Sequence, residues 1–167
     1  MIEVQPPNRI TGHYHSWPSV FLAGSIEMDT AERWQDRVKA DFNDDDVIFL
    51  NPRRDDWDST ITQSINDARF AEQVNWELDH LIYEADIAAF YFDPNTKSPI
   101  TLMELGYLAG MRETDRPDII ACCPPGFWRR GNIEIICSRA NILLIDTYAD
   151  LITNLRAWIK RAGIPPG

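Results

Sequence analysis

Along the chain, short unbroken apolar runs alternate with longer stretches in which apolar residues return every third or fourth position. The run 19–23, closed by Gly24, reads as a buried strand, and the segment opened by Asp29-Thr30 and continuing through Phe42 reads as a helix. Residues 47–50 form the next strand, ended by Asn51-Pro52, and a polar loop rich in charge and tryptophan extends to about residue 65. Phe70, Val74, Leu78, Leu81 and Ile82 recur at helical spacing within 67–84, and the apolar run 87–92 follows directly. Residues 93–97 form a polar turn. Ser98 then fits an N-cap and Pro99 the first helical position, where a missing N–H costs nothing, so a helix is predicted from there to about Arg112. A fourth strand over 118–122, a short helix or turn around 133–138, a fifth strand over 142–145 and an amphipathic helix over 148–161 complete the pattern.

Five strands alternating with helices predict an α/β three-layer sandwich, flavodoxin-like (Rossmann-like), with a five-stranded, mainly parallel sheet and helices on both faces. Ligands in such sheets settle beyond the carboxyl ends of the strands, near the switch in strand order. The chemistry is therefore expected in the loops after Ala23, Leu50, Phe92 and Cys122. With 167 residues, 44% of them apolar, the chain is sized for a single domain over 1–167, in which 1–18 reads as a loosely structured lead-in.

Charge and cysteine usage narrow the setting. Twenty-six acidic residues against 16 basic give a formal charge of -10, which argues against a nucleic-acid polymer as partner, since its phosphates call for a cationic surface. Cys122, Cys123 and Cys137 are odd in number and two are adjacent, so neither a disulfide framework nor a Cys-x-x-Cys zinc site is expected, and free thiols point to a reducing cytoplasm. The first residues lack the basic start and apolar stretch of a signal peptide, and no run approaches the ~18 apolar residues of a membrane span, so no membrane partner is expected.

One charge, Glu104, stands in the otherwise apolar or small segment 99–111. A carboxylate there is exposed, paired or used, and burial against nearby donors tunes such a group as a general acid or as an anionic nucleophile. Gly106, two residues on, marks a possible close approach, because a helix-interior glycine costs about 1 kcal/mol against alanine. Glu77 and Asp79 supply a second carboxyl from the preceding helix. They point to different faces, so one is held toward the strand ends and the other faces water. The loop 51–58 combines Asn51, Arg53, Arg54, three acids and Trp57, an aromatic ring with hydrogen-bonding neighbours of the sort a flat heterocycle needs; residues 127–132 have similar content. Gly24-Ser25 lacks the G-x-G-x-x-G fingerprint, and neither a phosphate-binding G-x-x-x-x-G-K-[ST] loop nor a G-x-S-x-G elbow is present. His13 and His15 read as surface histidines in the lead-in, so no metal is expected.

Phe21-Leu-Ala-Gly-Ser25, Asn51-Pro-Arg-Arg54, Gln73-Val-Asn-Trp-Glu77, Ala85-Asp86, Ser98-Pro-Ile-Thr-Leu-Met-Glu-Leu-Gly106 and Phe127-Trp-Arg-Arg-Gly-Asn132, taken in that order, resemble the nucleoside 2-deoxyribosyltransferase family over about residues 19–145. The resemblance implies that Glu104 is the nucleophile, attacking the anomeric carbon of a 2-deoxyribonucleoside to form a covalent glycosyl ester. A second base or water then resolves the ester with net retention. It makes Glu77 the closest match to the family's sugar-orienting Asp, with Asp79 as the alternative. Asp93 is matched to a second family Asp, while Ser98 stands at that Asp's spacing. Asn132 matches an Asn supplied across a subunit boundary to the sugar 5′-hydroxyl, which implies a homo-oligomer. Gly24, Ser25, Asn51, Arg53 and Trp57 complete the expected substrate-binding set. Deoxyribonucleosides and free nucleobases are the implied small-molecule partners, and no cofactor is implied because the carboxylate itself holds the sugar. Two features depart from the family: Val20 and Phe21 replace an aromatic hydroxyl in the first strand, and 164–167 carry no closing acidic side chain. Two other readings remain open, a nucleoside 5′-monophosphate N-glycosidase using Ser25 with Arg53 or Arg129 for the phosphate, and a catalytically silent nucleotide-binding module.

Overall fold

The computed structural model describes residues 1–12, 14, 16–26, 31–56, 58 and 60–163. Among these residues six strands, β1 (Ile2–Val4), β2 (Ser19–Gly24), β3 (Ile48–Leu50), β4 (Ile87–Tyr91), β5 (Asp118–Cys122) and β6 (Leu143–Ile145), form one sheet in the order β1-β3-β2-β4-β5-β6. Every neighbouring pair is parallel. Among the described residues, five α-helices connect or follow the strands: α1 (Trp34–Asp41), α2 (Ala68–Asp79), α3 (Pro99–Ala109), α4 (Arg130–Arg139) and α5 (Tyr148–Ala162). Apart from β1, the strand order is that of a flavodoxin-like sheet, whose direction of winding reverses between β2 and β4.

The sheet corrects two expectations: it has six strands instead of five, and the lead-in is not loose throughout. Only three residues long and interrupted by Glu3, β1 has no apolar run to announce it. It is held by its neighbours. Ile2 N donates to Val47 O and Asn51 N to Val4 O, both at 2.9 Å, and the Glu3 carboxylate accepts from Lys39 Nζ at 2.8 Å and Asn51 Nδ2 at 2.7 Å. Farther on, Asn8 O accepts from Trp76 Nε1 at 2.6 Å, and Arg9 pairs with both Asp79 and Glu84.

Both faces of the sheet are covered, which is why its central strands, beyond the first residues Ser19 and Asp118, run apolar instead of alternating. Phe21, Phe90 and Ala121 face α2, α3 and α4, packing with Trp76, Leu105, Leu108 and Ile133. Val20, Leu22 and Ala89 face α1 and α5 and meet Trp34, Val38, Leu151 and Leu155. Fully burying such a side chain stabilises the fold by about 1.5–3 kcal/mol. At the end of β2, Gly24 is required by contact: a Cβ there would lie 2.3 Å from Nε1 of the buried Trp34 indole. The predicted opening of α1 at 29–30 lies outside the described residues. The helix expected at 133–138 extends over the whole of α4, and α2 widens in its last turn into a π-helical segment, His80–Glu84, closed by Ala85 N donating to His80 O at 2.8 Å.

Candidate active site

Glu104 is placed by the loop and cap that precede its helix. Asp93, at the carboxyl end of β4, is buried, and its carboxylate organises the turn: Oδ1 accepts from Asn95 N (2.9 Å) and Asn95 Nδ2 (3.0 Å), and Oδ2 from Glu32 N (3.0 Å). Thr96 Oγ1 donates to Asp93 O at 2.9 Å and lies 2.7 Å from Ser98 Oγ. Ser98, itself buried, takes the left-handed conformation (φ 47°, ψ 50°) that few non-glycine residues adopt, a strain held by the surrounding contacts. Pro99 then opens α3 at its first position. Thr101, Glu104, Leu105 and Leu108 form the buried stripe of that helix at i, i+3, i+4, i+7 spacing, so the acid points inward with the leucines and is only 9% exposed.

Across from it on α2 lies Glu77. Burial, aided by the charge on Glu77, pushes the Glu104 carboxyl up to about 8. Glu77 is raised by its own burial, partly offset by a hydrogen bond from Gln73 Nε2 at 2.8 Å. Burial thus disfavours the charged form of both carboxyls, while the Gln73 hydrogen bond favours the anion at Glu77 alone. Asp79 is not brought to Glu104. It sits on the solvent side of α2, 3.1 Å from Arg9, so Glu77 and not Asp79 is the carboxyl that the fold turns inward.

The other expected residues divide into two groups. Gly24 and the buried Ser25 end β2 beside the switch in strand order. Asn51 is buried and fully engaged, with Nδ2 on Glu3 and Oδ1 accepting from Arg53 N at 3.1 Å, so it shapes the loop after β3. Arg53 is half-buried; its guanidinium reaches Glu32 O at 3.5 Å and meets no carboxylate among the described residues, while Arg54 is paired bidentately with Asp56. Burial and the neighbouring Arg33 hold the Arg53 group below its ordinary value. Glu32 is therefore a junction, its N–H on Asp93, its carbonyl facing Arg53 and its side chain paired with Arg37. Asn132 lies exposed in the first turn of α4. Trp57, His13 and His15 lie outside the described residues. The other ring of interest is Trp128, which clasps the loops after β4 and β5: Nε1 donates to Lys97 O at 3.0 Å, and Lys97 and Arg129 sit over the indole at 4.6 and 4.3 Å.

Gln73, quoted only as the first residue of a matched motif, is the site residue to which sequence reasoning gave no role, although its i, i+4 spacing from Glu77 was there to be seen. Two hollows of about 270 and 400 Å³ open at the amino ends of β4 and β5 around Arg116, Asp118 and Trp158, and neither includes a member of the carboxyl pair. Among the described residues there is no cluster of three or more His, Cys, Asp or Glu side chains able to hold a metal ion, and no helix long and apolar enough to cross a membrane.

Residues 17–127 match the family described as nucleoside 2-deoxyribosyltransferase like. The chain belongs to this family. The nucleoside 2-deoxyribosyltransferase-like segment begins just before β2 and ends at Phe127, so it contains Glu77, Asp93, Ser98 and Glu104 but stops short of Asn132. No curated protein is similar enough in sequence to count as a relative. Among solved structures, a conserved protein from Enterococcus faecalis V583 superposes with a TM-score of 0.56 at 10% identity, over 85% of this chain and 99% of that one. That likeness is one of fold.

Proposed function

We propose that the protein is a nucleoside 2-deoxyribosyltransferase, in which Glu104 takes the sugar from one base and passes it to another. The observation that carries this reading is the inward-turned carboxyl pair, the buried Glu104 on α3 and the half-buried Glu77 on α2, in a chain of the nucleoside 2-deoxyribosyltransferase-like family. In the first half-reaction the Glu104 carboxylate attacks C1′ and the glycosidic C–N bond breaks, its electron pair leaving with the base. The proton that Glu104 gives up to become a nucleophile balances the one that the departing base gains, with Glu77 as the relay and as the charge facing the oxocarbenium-like transition state. In the second, a nitrogen of the incoming base attacks C1′, the ester breaks and the acceptor's proton returns to the pair. Two inversions give retention, and no cofactor is needed.

Incubation of a 2-deoxyribonucleoside with a second free base should give the exchanged nucleoside, and a 2-fluoro-2-deoxy analogue should leave one adduct on Glu104, located by mass spectrometry. Absence of both, with Glu104→Ala indistinguishable from the unmutated protein, would refute the reading. Asn132 is proposed to complete a neighbouring site in a homo-oligomer. In support, Ile100, Met103 and Tyr107 leave an apolar stripe exposed along the outer face of α3.

One observation favours a second reading, hydrolysis of nucleoside 5′-monophosphates. Arg53 is a half-buried cation at the carboxyl end of β3 without a carboxylate partner among the described residues, in a position suited to a phosphate. Product analysis separates the two: free sugar phosphate and base in one case, a new nucleoside in the other.

A further inference from the structure

The amide of Gln73 is buried, and its contacts fix its orientation. Nε2 donates to Pro52 O at 3.0 Å and to Glu77 Oε1 at 2.8 Å. A carbonyl oxygen only accepts, so the nitrogen must face Pro52, and the same nitrogen then meets Glu77. Turning the amide over would set its oxygen against two acceptors. Its own oxygen is meanwhile buried with no donor among the described residues, a cost tolerated in the orientation found. A carboxyl that receives an N–H is favoured as the anion.

Glu104 lies in the opposite situation. Among the described residues no hydrogen-bond donor reaches it, and the only charge it feels is that of Glu77. Other charged or titratable groups on the packed elements are committed elsewhere. On α2 and its π-helical end, Asp79 and Glu84 are paired with Arg9, and His80 is stacked on Trp76 with Nδ1 2.7 Å from Trp76 O. Asp93 in the loop after β4 serves its own turn, and Arg53 in the loop after β3 reaches Glu32 O.

Resting on the transferase reading, we propose that Gln73 is a positioning residue: it fixes the pair's single negative charge on Glu77, leaves the proton on Glu104 until substrate binds, and ties that arrangement to the loop after β3 through Pro52. Nothing in the sugar chemistry requires a carboxamide here. It decides which of two similar acids enters the reaction neutral.

The test is a ¹³C titration of the glutamate carboxyls in the full chain, assigned with Glu77→Gln and Glu104→Gln, together with the pH–rate profile of base exchange. In the unmutated protein Glu77 should ionise first and Glu104 only near pH 8. In Gln73→Met, which keeps the volume and loses the donor, the first step should rise by about one pH unit or more. The acid limb of kcat should follow it, with KM changed less than about twofold. Gln73→Asn, which retains an amide, should fall between the two. Glu104 ionising before Glu77 in the unmutated protein overturns the proposal without any variant, and so does an unshifted first step in a folded Gln73→Met. Failure of the transferase reading is a different result: no exchange and no trapped adduct in the unmutated protein, with the titration still ordering the two acids.

Discussion

Replacing Glu104 by Gln should make the protein more stable as the pH rises while abolishing exchange. The buried carboxyl is raised from 4.5 to about 8, equivalent to about 5 kcal/mol against ionising it inside the fold. The folded chain binds this proton more tightly than the unfolded chain. The contribution is therefore fully present below the unfolded pKa and is lost as pH rises from about 4.5 through 8. Glutamine keeps the shape and never ionises. Urea unfolding of the two proteins across that window should show their stability difference widening steadily, with about 5 kcal/mol as a ceiling because water and structural relaxation ease the cost of the anion. Thermal melts should separate by roughly 2 to 4 °C for each kcal/mol. The pH dependence of the gap is the diagnostic quantity, since a constant offset reflects only packing of the amide. A gap that stays flat from pH 4.5 to 8 would mean that Glu104 ionises as easily folded as unfolded, and the buried pair would lose its physical basis.

Other outcomes follow from particular contacts. Gly24→Ala should destabilise by about 1–3 kcal/mol, because the new methyl overlaps an indole that is itself packed in the core; the urea midpoint measures it. Asp93→Ala removes the acceptor for three donors and should cost about 1–3 kcal/mol, while hydrogen exchange at the Asn95 and Glu32 amides rises. Trp128→Ala should lower stability by no more than about 2 kcal/mol, since the ring is partly exposed and its two cation contacts are weak, and it should raise proteolytic nicking between residues 93 and 98. Met103→Asp should break the proposed assembly, read as a fall in mass by sedimentation.

Much of this architecture was legible because buried parallel strands leave unbroken apolar runs: β2, β4 and β5 are predicted within a residue of where they lie. The edge strand β1 was not, since three residues around a glutamate carry no periodicity, and its place comes from partners some 45 positions away in sequence. Glu104 stood out as the lone charge in an apolar helix, and its burial agrees with the i, i+3, i+4, i+7 stripe it occupies. Choosing between Glu77 and Asp79 required knowing which side of α2 meets Arg9, a contact between segments 70 residues apart. Gln73 stood in a matched motif yet was given no role for a related reason: a neutral amide announces no chemistry until its neighbours are seen.

The three loops that meet at Glu32 are joined largely through its peptide groups, one N–H and one C=O, and only secondarily through its carboxylate. Trimming that side chain to a methyl group would remove the Arg37 pairing and leave the amide-to-Asp93 tie intact. A conventional mutational scan would thus score this position as nearly silent. Its weight would emerge only on editing the main chain, by proline or by an amide-to-ester exchange, where the loops after β2, β3 and β4 should slacken together.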